Sequence, residues 1–128
     1  GSGKILVPNK VKFALSVAPA AIATLGLLGG FSATGGVTAQ TTKLNVQPAQ
    51  IGNTAAGAVG IPLSQATITT PTFIQALYDG FTAAALPGPT LPVDLEGLYL
   101  IYPGAFLGIY ALTAVTGLGS IAWEEVAL

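Results

Sequence analysis

LYLIYPGAFLGIYALTAVTGLGSIAW, residues 98–123, runs for 26 residues without a charged side chain. As a helix rising about 1.5 Å per residue it would exceed the roughly 30 Å hydrocarbon core of a bilayer. Pro103 suits the first helical turn, where its missing N–H costs nothing. Tyr99 and Tyr102 stand at one end and Trp123 at the other. In a helix Tyr102 and Trp123 would lie roughly 31 Å apart, the spacing of the two headgroup levels where amphipathic aromatics collect. Asp94 and Glu96 precede the run and Glu124 and Glu125 follow it. The stretch predicts a transmembrane helix over 98–123, with Tyr99, Tyr102 and Trp123 at the membrane interfaces. Within it, Gly104 and Gly108 form a GxxxG, and Thr113 with Gly117 repeats the small-xxx-small spacing. Those four residues are expected to let another helix approach closely.

A second apolar run lies upstream. Residues 13–31 carry no charge and follow Lys4, Lys10 and Lys12. Its 19 residues reach roughly 28 Å as a helix, which predicts a first transmembrane helix over 13–31 with Pro19 as a kink. The basic tail, residues 1–12, would stay on the cytoplasmic or stromal side, and two spans would bring the C-terminal tail, 124–128, back to it. Positive charge before an apolar stretch also marks secretory leaders. With Val37, Thr38 and Ala39 as a small-residue site, that alternative describes the same segment as a cleavable signal. The lack of any Met, position 1 included, fits equally a leader removed upstream of Gly1 or an appended Gly-Ser-Gly start.

Between the runs, residues 32–69 turn to Thr, Gln, Asn, Gly, Ala and Pro, a polar connector of low charge expected to lie against protein. Thr70 as N-cap and Pro71 then open TFIQALYDGFTAAAL. Phe73, Leu77 and Phe81 recur every four residues, which predicts an amphipathic helix over 70–86 that docks through those three side chains. A Pro-rich acidic loop, 87–97, completes the chain. The fold class expected is all-α: two transmembrane helices joined by a Gly/Pro/Thr-rich connector containing a short amphipathic helix.

Composition limits the chemistry. The 128 residues include 9 charged ones, 7%, where a soluble domain averages about 25%. Cys and His are absent, which removes disulfides, Cys/His metal clusters, thiol nucleophiles and imidazole relays. Four Lys and no Arg cannot neutralise a nucleic-acid backbone. Gly117, Gly119 and Ala122 match GxGxxA, but the motif needs a strand before it and a helix after it in a βαβ unit, and only six residues follow. The carboxylate pairs Asp94 with Glu96 and Glu124 with Glu125 fit no catalytic or calcium motif and read as charges bounding apolar runs.

The expected function is therefore non-catalytic. It is that of an accessory subunit packed in or beside a large bioenergetic membrane complex, a thylakoid photosystem ahead of a respiratory one. Its partners would be other membrane subunits and the lipid bilayer, with no nucleic acid. No cofactor of its own is expected; chlorophyll, carotenoid or lipid would touch it through Phe13, Phe31, Phe106 or Tyr110. No metal site is expected. The alternative is a self-assembling structural protein of the coat or pilus kind, its apolar surface covered by copies of itself.

Overall fold

Lys4–Leu15, the segment expected to hold a basic tail and the start of a helix, is a single extended strand, β1, of 12 residues. The computed structural model describes residues 3–32, 37–38, 46, 59–62, 67–70, 72–81 and 92–128. Among these the elements named are eight β-strands: β1, β2 (Ala23–Phe31), β3 (Val37–Thr38), β4 (Thr67–Ile68), β5 (Phe73–Phe81), β6 (Val93–Asp94), β7 (Ala105–Ala111) and β8 (Gly117–Ala127). All pairings are antiparallel. One sheet has the order β6-β1-β8, a second β5-β2-β7, and β3 pairs β4 in a small third ladder.

The all-α expectation is thus corrected. Among the described residues no helix is long and apolar enough to cross a membrane. Residues 13–31 hold the end of β1, a turn and β2; residues 98–123 hold an extended segment, a turn at Pro103 and Gly104, β7, another turn and most of β8. The transmembrane helices, the integral-membrane and thylakoid placement, and the same-side termini that depended on them go with that correction. The amphipathic helix is corrected as well, because residues 73–81 form β5. The rest of 70–86, apart from Thr70 and Thr72, lies outside the described residues.

The two larger sheets pack face to face. Alternation along β1 and β8 directs Val11, Phe13 and Leu15 to the same side as Ile121, while Lys10, Lys12 and Ala14 are exposed on the other. Val11 and Leu95 from the first sheet meet Leu27 from the second, with Leu77, Val93, Tyr99, Leu107, Ile109 and Ile121 around them. Ala23 and Leu25 continue this core toward Phe13, Leu15 and Val115. Leu25, Leu27 and Leu28 are completely or almost completely buried, each contributing about 1.5–3 kcal/mol of apolar transfer. Leu28 points away from Leu27 and is buried too, so β2 is covered on both faces.

Glycines allow the closest approaches. At Gly26 the Phe73 ring occupies the space a Cβ would need, and Phe73 meets Tyr110 edge-on with centroids 5.7 Å apart. At Gly117 the Ala14 carbonyl and the Phe13 ring do the same. Of the register shifts, one between β1 and β8 and three between β2 and β5, two set the faces. Asn9 is the extra residue between the Pro8–Trp123 and Lys10–Ala122 pairs, and its carbonyl accepts the Leu95 N–H at 2.7 Å. Ile74 is skipped between the Leu28–Phe73 and Leu27–Gln75 pairs. That slip sends Phe73 outward onto Gly26 while Leu77 points into the core.

Candidate functional site

At the end of β8, alternation that places Ile121 and Trp123 on the inner face places Glu125 there as well. A carboxylate at that position needs partners. It takes them from both distant parts of the chain. Its Oε1 accepts the N–H of Val59 at 2.8 Å and of Gly60 at 2.9 Å, and its Oε2 accepts Val59 N–H at 3.0 Å. Lys4 Nζ lies 3.2 Å from Oε2, and the Trp123 indole N–H points at Oε1 from 3.5 Å. Burial pushes the Glu125 carboxyl up, but the N–H groups of Gly60 and Val59, the Lys4 ammonium and the Trp123 indole outweigh it, leaving the group below the ordinary 4.5. Gly60 rests directly on the indole: a Cβ there would lie 3.0 Å from Cζ2 and 3.2 Å from Nε1 of Trp123. The arrangement is a clamp that fastens residues 59–60 of the connector to the end of the sandwich.

The opposite end of β8 has a different character. Residues 16–22, between β1 and β2, are joined to residues 112–116, between β7 and β8. Ser16 N–H donates to the Thr116 carbonyl at 3.0 Å and Thr113 Oγ1 to the Ile22 carbonyl at 3.2 Å. Neither loop carries a charge. Val17 is 56% exposed, Ile22 70%, Leu112 70% and the adjoining Leu118 79%. This end of the molecule therefore presents an uncharged apolar tip.

The residues singled out from the sequence are dispersed. Gly104 occupies a turn at φ +85°, with Ala105 N–H donating to the Tyr102 carbonyl; Gly108 lies in β7 opposite Leu28. Thr113 belongs to the apolar tip and Gly117 opens β8. Tyr99 is half-buried in the core and donates to Gln75 Oε1 at 3.0 Å, Tyr102 is half exposed in a turn, and Trp123 belongs to the clamp. Phe73 and Leu77 are on opposite faces of their sheet; of Phe81 only the backbone pairing, with Ala23, is described. Phe13 is half-buried over Gly117 and Gly119, Tyr110 meets Phe73, Phe106 lies near Gly30, and Phe31 is exposed.

Sequence reasoning left Glu125 as a solvated boundary charge and did not find its link to Val59 and Gly60. The letters hold no signal for it, since Glu124 and Glu125 are the same residue type and Val59 lies 66 positions away. Among the described residues no three His, Cys, Asp or Glu side chains gather where they could hold a metal ion. Compared with protein-family models, curated proteins and solved structures, the chain matches none.

Proposed function

We propose that this chain is a non-catalytic structural subunit that assembles with copies of itself. The observation that carries the reading is the apolar tip formed by Val17, Ile22, Leu112 and Leu118, four side chains more than half exposed with no charge in either loop. A lone domain in water seldom leaves such a patch uncovered, because burying it releases about 25 cal/mol per Å². The overall charge content of 7% points the same way, since a chain so poor in ionic groups gains solubility by covering its surface. Antiparallel sandwiches are rigid units suited to tiling, with loops gathered at their ends.

Sedimentation velocity over a range of concentrations, with electron microscopy of the heaviest fraction, tests this. The expected result is a weight-average mass that rises with concentration and particles of uniform shape. A single monomeric species at the highest concentration would overturn the reading.

A further inference from the structure

β8 is the longer of the two edge strands on its flank, 11 residues against 7 in β7. The Thr116 carbonyl just before it accepts from Ser16, and the Leu128 N–H just after it donates to the Gly3 carbonyl at 2.9 Å. Even-numbered positions along β8 therefore turn their backbone groups toward β1, and the odd-numbered Gly117, Gly119, Ile121, Trp123 and Glu125 turn theirs away. Pro8, lacking an N–H, stands opposite Trp123, where β1 owes β8 no bond. On the outer side no strand pairs with β8 among the described residues, and none of those odd-numbered backbone groups has a hydrogen-bond partner there.

Natural sheets usually protect such an edge with Lys, Pro or a bulge. Residues 117–123 contain no charge and no Pro, and the bulge of this sheet is in β1. The edge is an open template for another extended backbone.

We propose that the β8 edge pairs antiparallel with β8 of a second copy across a twofold axis, joining two three-stranded sheets into one continuous sheet. The inference rests on the self-assembly reading and adds to the apolar tip a second contact surface between copies. A copy of the same strand fits for reasons of charge and shape. Centred on Ile121, the pairing sets Glu125 opposite Gly117 and Glu124 opposite Leu118, so the carboxylates of the two copies never face each other. It also sets Trp123 beside Gly119, where the large ring flanks a residue with no side chain. The odd-numbered N–H and C=O groups of one copy then meet those of the other in register.

Ser120 and Ala122 are exposed on the outer face and face each other across this axis. In the double variant Ser120→Lys with Ala122→Lys, like charges would oppose one another twice. Self-association measured by sedimentation is expected to weaken roughly tenfold or more, with the far-UV circular dichroism unchanged. A charge-matched control, Leu98→Lys with Leu100→Lys, puts two lysines at exposed positions away from both the edge and the apolar tip and is expected to associate like the parent. On the unmodified chain, hydrogen exchange at Gly119 and Ile121 is expected to slow as concentration rises. Association unaffected by the edge lysines, or exchange at those two amides independent of concentration while association persists, would overturn the edge assignment and leave self-assembly standing. Absence of association in the parent chain would overturn both.

Discussion

Three glycines of the run 98–123 share a letter and differ in what holds them. At Gly117 an added Cβ would strike the Ala14 carbonyl and the Phe13 ring, and backbone cannot step aside as a side-chain tip can. Gly117→Ala is expected to destabilise by about 1–3 kcal/mol through overpacking. At Gly104 there is open space, but φ is +85°, so Gly104→Ala is expected to cost about 1 kcal/mol through backbone strain alone. At Gly108 the nearest atom, Leu28 Cδ1, would sit at an ordinary 3.5 Å, and Gly108→Ala is expected to be close to neutral. Chemical denaturation of the three variants checks the order. A helical GxxxG would have made Gly104 and Gly108 respond alike, so the series also separates a strand from a helix at the level of one methyl group. None of this difference is legible in the letters, because it depends on which backbone crosses each glycine.

At the scale of the element, the sequence hid strands behind features that helices share. β2 reads LGLLGG because both of its faces are covered, and a strand covered twice loses the polar alternation that would reveal it. A repeat of four, as in Phe73, Leu77 and Phe81, is also a multiple of two, and the bulge at Ile74 breaks even that parity. Pro19 and Pro103 fit a kinked helix and a helix start as readily as the breaks between strands that the structure has there, so the letters alone do not cut the two apolar runs into strand-sized pieces. Charge content was legible, and it carries into the proposed self-assembly. The Glu125 clamp was beyond reach, because Val59 is 66 positions away.

The clamp has a pH dependence whose direction follows from its contacts. Glu125 titrates below its ordinary value when folded, so its stabilisation is fully present above pH 4.5 and is lost as pH falls through the folded value. Trp123, the single tryptophan of the chain, lies under Gly60 and reports the change. Its emission is expected to shift on acidification below 4.5, before far-UV circular dichroism shows loss of strands. Glu125→Gln, which removes the charge, is expected to show the shifted emission at neutral pH and no acid step. An identical acid step in parent and variant would mean that the clamp does not depend on the carboxylate.

Across the whole molecule, each large sheet is built from both ends of the chain. β1 is the central strand of its sheet and is paired along its length by β8, with Lys4 and Glu125 in contact although 121 positions apart. β2 is the centre of the other sheet, and β7, from the far end of the sequence, completes it. Such long-range pairing closes large loops before any contact compensates for their entropy, so refolding is expected on a millisecond-to-second scale rather than in microseconds. It also makes the last strand indispensable. A chain ending at Thr116 would leave Val11 without Ile121 in the core and would strip β1 of its longest partner. The core would then be open along one whole flank. That truncated chain is expected to lose cooperative unfolding in denaturant, whereas removal of residues 127–128 alone takes away only the terminal Lys4–Ala127 pair and the Leu128 to Gly3 hydrogen bond and should leave the transition intact. A sharp transition in the chain ending at Thr116 would show that the β5-β2-β7 sheet folds without its partner, and that the face-to-face packing is an addition to the fold rather than its basis.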